Sequence, residues 1–253
     1  EFINKGNKMT GFFLMMQNPT LNFEQNRFGV LFLGVNAMKA NKKQRVIDSA
    51  VKLFNAKGFD GTSVRDIASS AEVNVALISY YFGGKNALLE SLMTSFYEGF
   101  TEQIETACSK LDEQSAKEVL LQIIHRVLDY QQEHVQLARF VHREVTFDST
   151  LVREVMTTYL MKEKYCYESV FKTGMKRKEF HRQPVDFLVL QLRELLLMPY
   201  LHPQYIREVY YLMPQEAYFK KRYARFLIQW VDTAICSDSK QERAKKSKMA
   251  AEA

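Results

Sequence analysis

The segment from Thr62 to Lys85 combines two adjacent tyrosines, an asparagine, a lysine and several aliphatic side chains. Phenolic hydroxyls and a lysine ammonium donate hydrogen bonds to phosphate oxygens. An asparagine amide can pair with both groups on the edge of an adenine, and small or aliphatic side chains contact the methyl group of thymine. This combination is typical of a surface that binds double-stranded DNA.

The candidate contacts fall into two groups, those that read bases and those that hold phosphates. Phosphate contacts fix the position of the reading element but carry no sequence information, so only the first group would determine specificity. The predicted contacts are Asn74, Val75, Leu77 and Ser79 on base edges, and Tyr80, Tyr81 and Lys85 on phosphates.

The spacing of apolar residues predicts the helices that hold these side chains. Residues 64–71 carry apolar residues at i, i+3, i+4 and i+7, and Ser63 with Asp66 forms an N-terminal capping pair. The preceding segment, 42–57, repeats the apolar pattern, and Gly58 follows it where a left-handed C-cap is needed. Two short helices joined by a tight turn make a helix-turn-helix. The inward side chains of the last helix are then Val73, Ile78 and Phe82.

Residues 42–89 resemble the N-terminal domain of TetR-type bacterial transcriptional regulators. The matching positions are Ala50, Leu53, Phe54, Gly58, Phe59, Thr62, Ser63, Val64, Asp66, Ile67, Ala68, Ala71, Val73, Tyr80, Phe82, Lys85, Leu88 and Leu89. The resemblance implies phosphate contacts by Thr62 and Ser63. This chain has Val75-Ala76-Leu77 where the family commonly has Lys-Gly-Thr, and Tyr81 where His is frequent. These departures concern the DNA sequence that is read and not the docking geometry.

Three later segments, 140–156, 159–165 and 198–205, resemble the RefZ-type members of this family in spore-forming relatives of Bacillus. That resemblance implies a homodimer that binds palindromic chromosomal sites and modulates assembly of the FtsZ ring in cell division during sporulation, with FtsZ as a partner. The alternative is a ligand-responsive TetR-type repressor, which releases DNA when a small molecule fills a cavity. The sequence does not separate these two functions.

Composition favours an all-α protein that works in the cytoplasm, associated with the nucleoid. Apolar residues make up 47% of the 253 residues, and Gly and Pro are few, at 10 and 5. The formal net charge is +6, and residues 38–85 hold eight basic and four acidic side chains, a net charge of +4 on the predicted DNA-binding domain. The odd number of cysteines, Cys108, Cys166 and Cys236, indicates neither a disulfide framework nor a zinc site. No apolar run approaches the roughly 20 residues that span a bilayer, so no membrane partner is expected.

The chain divides into four regions. Residues 1–37 show no helical period and are interpreted as a non-native or disordered extension before a natural start at Met38, with a functional arm reaching into the minor groove as the alternative. Residues 38–85 form the helix-turn-helix domain, and residues 86–236 form a helical regulatory and dimerisation domain. Residues 237–253 have the basic, weakly apolar composition of a flexible tail.

The second domain is predicted to consist of amphipathic helices. They are expected at 85–111, 115–134, 135–145, 150–180, 187–198 and 215–235, with Pro199 and Pro203 ending the fifth. The TetR resemblance implies a homodimer in which the helices at 184–198 and 215–235 pack against the same pair in a partner.

Enzymatic and metal-binding functions are disfavoured. His125, His134 and His142 lie near Glu144 and Asp148, but a His-x-x-x-His or Cys-x-x-Cys spacing is missing. The chain has no glycine-rich phosphate loop, nucleophile elbow or dinucleotide fingerprint. We therefore predict no catalytic residues, no metal site and no cofactor.

Two further features leave alternatives open. Arg139, Arg143 and Glu144 beside Phe140 and Val141 suit either a partner surface or an ordinary ion-paired face. The methionines and aromatic residues between 156 and 171 suit either a small-molecule cavity or simple core packing.

Overall fold

The computed structural model describes residues 41–147 and 149–237; the predictions for residues 1–37, for Asp148 and for most of the tail lie outside these ranges. The helices, in chain order, are α1 (41–57), α2 (Val64–Ala71), α3 (Val75–Phe82), α4 (Lys85–Cys108), α5 (Ala116–Glu133), α6 (Val135–Glu144), α7 (Thr150–Val155 and Met161–Lys176, joined by a π-helical turn, Met156–Leu160), α8 (Val185–Leu201), α9 (Pro203–Tyr210) and α10 (Ala217–Trp230, continued by a π-helical turn, Val231–Ile235). The predicted all-α fold is confirmed. Among the described helices, none is long and apolar enough to cross a bilayer.

Helices α1, α2 and α3, which we call the head, pack around buried apolar side chains that are continuous with the core of the other helices. Phe54, Ile67 and Ile78, one from each helix, are fully buried, and Val73 and Phe82 pack against this core with part of their surface exposed. Ile78 and Phe82 lie on the inward side of α3 as predicted from the apolar spacing, whereas Val73 precedes the helix, which is capped by Asn74. The burial of one large side chain from each helix stabilises the head.

Helix α4 connects the head to the remaining helices, which we call the body. Only two residues separate its start from the end of α3, so any movement of α4 is transmitted directly to α3. The predicted spacing of Leu88, Leu92, Phe96 and Phe100 along α4 is confirmed, since all four are buried. Helices α5, α6 and α7 pack against α4, and α8 and α10 pack on α5.

Helix α7 ends at Lys176, four residues before the predicted end at Phe180. Lys178 adopts a left-handed conformation with φ 62°, and the backbone N–H of Glu179 returns to the carbonyl of Gly174 at 2.8 Å. The ring of Phe180 then folds back onto Gly174, where any larger side chain would collide with it. A glycine within the last turns of the helix thus makes room for the residue that closes it.

Helix α8 continues through Pro199, which was predicted to end it. A proline within a helix lacks the N–H that would bond to the carbonyl four residues earlier, here that of Leu195. The hydroxyl of Tyr223 on α10 donates to this carbonyl at 2.6 Å. The unpaired group therefore finds a partner in a neighbouring helix, and the prediction failed because that partner is distant in sequence.

Replacing Tyr223 by phenylalanine is expected to lower the free energy of unfolding by about 1.5 kcal/mol, because the Leu195 carbonyl loses its partner inside the protein. Urea unfolding followed by circular dichroism measures this loss. Tyr165→Phe is the matched control, since Tyr165 on α7 is largely exposed. Equal stability of the two variants would show that Tyr223 does not support the proline-containing turn.

Buried polar groups on three helices of the body are linked by hydrogen bonds that begin at His142. Its Nε2 lies 2.8 Å from Oε1 of Gln131, and Nε2 of Gln131 donates to the carbonyl of Leu196 at 3.1 Å. With the amide in this orientation, Nε2 of His142 is the donor, and its Nδ1, which has no hydrogen-bond partner in the described structure, carries no proton. Burial, reinforced by Arg193, lowers the pKa of His142 to about 3, so the imidazole is neutral at neutral pH.

Acidification from about pH 7 to about pH 5 is expected to remove about 2 kcal/mol of stability through His142. The unfolded chain takes up a proton on this histidine below a pKa near 6.5, whereas the folded chain binds it only near pH 3. Glu163 acts in the opposite direction, because burial raises its pKa to about 6 and its protonation stabilises the folded state.

Comparison of the wild type with His142→Gln isolates the histidine, since Glu163 is present in both proteins. We expect the loss of unfolding free energy between the two pH values to be about 2 kcal/mol smaller in the variant. The same loss in both proteins would contradict a neutral, buried His142.

Candidate nucleic-acid interface

The turn between α2 and α3 is held by caps at both helices. At the start of α2, the Ser63 hydroxyl accepts from the backbone N–H of Asp66, and the Asp66 carboxylate accepts from that of Ser63, which confirms the predicted capping pair. Helix α2 is followed by its C-cap Glu72, in the left-handed conformation with φ 50°, and its last turn is closed by a bond from the N–H of Val73 to the carbonyl of Ala68 at 3.0 Å. These caps fix the angle at which α3 leaves the turn.

Helix α3 presents one side to solvent. Ile78 is buried and anchors the helix on the head, whereas Val75 and Tyr80 are 42% and 72% exposed. Ser79 is also exposed, and Leu77 and Tyr81 are half-buried. The two tyrosine rings meet edge to face with centroids 5.2 Å apart. Three of the predicted contact residues on this short helix, Val75, Ser79 and Tyr80, are thus exposed, and two are half-buried.

Asn74 is the N-cap of α3, a role that the sequence interpretation did not assign to it. Its Oδ1 accepts from the backbone N–H of Ala76 at 2.8 Å. The predicted pairing with adenine through both amide groups would use the second lone pair of Oδ1 together with the amide NH₂. This base contact by Asn74 stays a prediction.

The ammonium group of Lys85 bonds mainly to groups within the protein. Its Nζ donates to the carbonyls of Phe59 and Thr62 at 3.0 and 3.1 Å and lies 4.2 Å from the centre of the Phe59 ring. An ammonium has three protons, so one is left for a phosphate. A phosphate contact by Lys85 stays a prediction, and its first role is to tie the start of α4 to the loop between α1 and α2.

The hydroxyls of Thr62 and Ser63 also have internal partners. Thr62 is buried, and its Oγ1 donates to the carbonyl of Gly58 at 2.8 Å. The hydroxyl of Ser63 donates to Oδ2 of Asp66 at 2.7 Å. Because a hydroxyl has one proton, phosphate contacts through these side chains would have to replace the internal bonds. The contacts implied by the resemblance therefore stay predictions.

Two basic side chains of the head were counted in the net charge but not singled out as contacts. Arg65 on α2 and Lys43 on α1 are exposed, and Nζ of Lys43 lies 5.6 Å from the centre of the Phe82 ring, at the end of α3. Their long side chains can reach phosphates beside a helix in the major groove. Charge alone did not reveal them, because the sequence does not place α1 beside the end of α3.

Replacing Leu77 by glutamine is expected to change which base pairs are preferred while nonspecific affinity stays the same. A lost or altered base contact costs about 1–3 kcal/mol at one position of a site. Selection from random-sequence DNA, performed side by side for the wild type and the variant, measures the change. Recovery of the same motif by both proteins would count against a base contact at Leu77.

The head joins the body through α1 and α6. Nη2 of Arg143 donates to the carbonyl of Phe54 at 2.7 Å, and Nδ2 of Asn55 donates to the carbonyl of Gln136 at 2.8 Å. The rings of Phe54 and Phe140 stack with centroids 5.0 Å apart. These contacts explain the crowding of charged and aromatic residues at 139–144 that the sequence showed.

Most of the surface at 139–144 that was predicted to bind a partner is occupied by these contacts between α1 and α6. Arg143 is bonded to α1, and Glu144 is buried beside it, at 4.0 Å from Nε of Arg143. Arg139 is half-buried, and burial lowers its pKa, with Arg143 and Arg207 acting in the same direction. A partner could reach Arg139, and contacts with the other two residues stay a prediction.

The histidines considered for a metal site do not meet in the body. His125 and His134 are exposed on α5 and at its end, while His142 is buried. Within residues 41–147 and 149–237, no group of three or more potential ligands lies close enough to hold a metal ion.

Comparisons with known proteins agree with this geometry. Residues 46–92 match the family model described as bacterial regulatory proteins, tetR family. The chain is 54% identical over 194 residues to the probable HTH-type transcriptional regulator YttP of Bacillus subtilis, an alignment that covers 77% of this chain and 94% of that protein. It is 29% identical over 112 residues to the HTH-type transcriptional repressor NicS of Pseudomonas putida, covering 44% of this chain and 52% of NicS.

A solved structure extends the similarity to the whole fold. The structure of a tetR-family regulatory protein from Rhodococcus RHA1 superposes with a TM-score of 0.64 at 17% sequence identity, covering 78% of this chain and 98% of the other. The RefZ-type resemblance is more specific than these matches and stays a prediction. The helix-turn-helix geometry, the family model and the high identity to a full-length relative together show that the chain belongs to the tetR family of bacterial transcriptional regulators.

Proposed function

We propose that this protein is a transcriptional repressor that binds a twofold-symmetric DNA site as a homodimer and leaves it when a small molecule binds the body. The proposal of DNA binding is supported mainly by the exposed side of α3. Val75, Ser79 and Tyr80 project there from a helix that Ile78 anchors. Such a helix enters the major groove with apolar groups towards base edges and phenolic hydroxyls towards phosphates. The name of NicS, a transcriptional repressor, supports the direction of regulation.

The homodimer is supported by apolar side chains that the single chain leaves in solvent. On α8, Phe187 is 66% exposed and Leu190 is also exposed; on α10, Tyr218 and Phe226 are exposed. Helices with apolar groups on their outer side bury them against another chain. Two heads related by a twofold axis would then read half-sites about one helical turn, or roughly 34 Å, apart.

Release by a ligand is supported by a continuous set of contacts from the body to the head. The ring of His142 on α6 meets that of Phe96 on α4 edge to face, with centroids 5.2 Å apart. The next residue along α6, Arg143, holds the carbonyl of Phe54 on α1. A molecule that displaces α6 or α4 would therefore move the head and change the distance between the two α3 helices of a dimer.

Genome-wide recovery of DNA crosslinked to the protein in its host tests the proposed role. A repressor is expected to occupy a strong site in front of its own gene or of a neighbouring operon, and transcription of that operon should rise when the protein is deleted. Occupied promoters whose transcription is unchanged by deletion would contradict repression.

A second candidate function, control of the FtsZ ring, is favoured by an exposed apolar surface on and after α9. Tyr205, Val209, Tyr210 and Tyr211 are all exposed there, and the surface adjoins a segment, 198–205, that carries the RefZ-type resemblance. This function predicts occupied palindromes scattered on the chromosome away from promoters. It also predicts that Tyr210→Ala with Tyr211→Ala abolishes an effect on FtsZ polymerisation while DNA binding is retained; an unchanged effect would argue against this surface.

A further inference from the structure

A cavity of about 440 Å³ lies between α7 and α8. Its walls are mostly apolar and include Met156, Leu160, Val189 and Leu190. This volume is within the range of about 300–1,000 Å³ that holds small organic molecules. The π-helical turn of α7 forms part of the wall, and such turns are frequent at functional sites.

The apolar cavity contains a buried carboxylate. Glu163 lines it, yet only 3% of this residue is exposed. Burial raises the pKa of Glu163 to about 6, while Arg193 and a hydrogen bond from the Tyr167 hydroxyl, which also lines the cavity, act in the opposite direction. A carboxylate oxygen has more than one lone pair, so this buried group can still accept a hydrogen bond from a bound molecule.

The charges around the cavity favour a positive occupant. Nε of Arg193 lies 3.7 Å from Oε2 of Glu163, but its Nη1 donates to Glu194 at 3.0 Å, so two carboxylates share one guanidinium. Asp186, in the first turn of α8, adds a further carboxylate to the lining. Glu168 is already paired with the lysines on either side of it in α7. Among the residues that line the cavity, the carboxylates of Glu163, Glu168 and Asp186 outnumber the cations of Lys164 and Arg193, so one negative charge is left over.

We propose that this cavity binds an organic cation, an apolar molecule ending in a protonated amine, whose N–H groups donate to Glu163 and to the Tyr167 hydroxyl. A regulatory effect of this binding rests on the proposed function, whereas the binding itself does not. Tyr167 and Glu163 lie on α7, which packs against α4, and Tyr159 on the same helix stacks on Tyr97 of α4 at 6.1 Å. Occupation of the cavity would therefore act on the helix that carries the head.

Three probes with one apolar body test the proposal: decylammonium, 1-decanol and decanoate. Isothermal titration calorimetry on the full-length protein measures their affinities below their aggregation concentrations. We expect decylammonium to bind about tenfold or more tightly than 1-decanol, because a hydrogen bond to a charged group contributes about 1.5–3 kcal/mol, and decanoate to bind most weakly. Equal affinities of the three probes for the wild-type protein, or tighter binding of decanoate, would be enough to overturn the proposal.

Glu163→Gln is expected to remove most of the preference for decylammonium over 1-decanol while leaving 1-decanol binding unchanged. Glu154→Gln is the matched control, an exposed acid on the same helix that does not line the cavity. If Glu163→Gln fails to fold, Asp186→Asn, at an exposed position, should still lower the preference a few-fold. An unaltered preference in the folded variants would overturn the assignment of the carboxylates.

Two further measurements ask what fills the cavity and whether its occupation releases DNA. Leu190, at the edge of the cavity, is also part of the proposed dimer surface, so the wild-type dimer is compared with the Phe187→Glu, Phe226→Glu variant, which is expected to be monomeric. If decylammonium binds only to the monomeric variant, a second copy of the chain fills the cavity in the dimer and the proposal is overturned. DNA release is measured separately, by fluorescence anisotropy of labelled DNA with and without decylammonium. Specific binding of decylammonium without DNA release would support the site and contradict ligand-controlled repression.

Discussion

Replacing Tyr80 and Tyr81 together by alanine is expected to weaken binding to every DNA duplex about a hundredfold, since each phenolic hydroxyl that meets a phosphate contributes about 1.5 kcal/mol. Tyr80 is 72% exposed, and the ring of Tyr81 packs edge to face on it. Neither side chain is needed by the core of the head. The loss should therefore be uniform across sequences, with folding and dimerisation retained.

Fluorescence anisotropy with a specific and an unrelated duplex measures this loss at several salt concentrations. Tyr165→Ala is the matched control, because Tyr165 is also 72% exposed but lies on α7 in the body. We expect the control to bind like the wild type. A double tyrosine variant with unchanged affinity would contradict the docking of α3, and a loss confined to the specific duplex would assign these residues to base reading instead.

Replacing Phe187 and Phe226 together by glutamate is expected to convert the protein to a folded monomer and to lower its affinity for a twofold DNA site by about a hundredfold or more. Both rings are more than half exposed, so their replacement leaves the core of a single chain intact. In a dimer, however, it would bury like charges across the twofold axis, which costs several kcal/mol. A monomer also loses the advantage of two linked heads.

Sedimentation of the variant and titration of a full site and a half-site measure the two effects. Tyr165→Glu introduces the same charge at an exposed aromatic outside α8 and α10, and it should remain dimeric. A double variant that stays dimeric would contradict the assignment of α8 and α10. A monomeric variant that binds the full site as tightly as the wild type would contradict the need for two heads.

The head was largely predictable from sequence because its signals are local. Apolar spacing gave α1, α2 and α3, and the Ser63 and Asp66 pair marked the start of α2 correctly. The role of Asn74 was missed, although asparagine is a common N-cap, because its position next to predicted base contacts favoured a functional interpretation. The bonds from Lys85 to Phe59 and Thr62 join residues that are far apart in the chain, so no local pattern reveals them.

The body was less predictable because its decisive contacts are between distant helices. Pro199 stays within α8 only because Tyr223 supplies a partner for Leu195. The abundance of methionine and aromatic residues between 156 and 171 favoured core packing over a small-molecule cavity. Phe171 is buried in the core, whereas Met156 and Met161 line the cavity. The burial of Glu163 in its wall depends on how α7 and α8 meet, which no local pattern reveals.

Selection of binding sites from random-sequence duplex DNA tests the central claim most directly, namely that α3 reads sequence in a twofold dimer. The wild type is predicted to enrich a palindromic motif whose half-sites lie about one helical turn apart, and the Tyr80→Ala, Tyr81→Ala variant should enrich nothing under the same conditions. Enrichment of no motif by the wild type, or of a motif without twofold symmetry, would contradict this account.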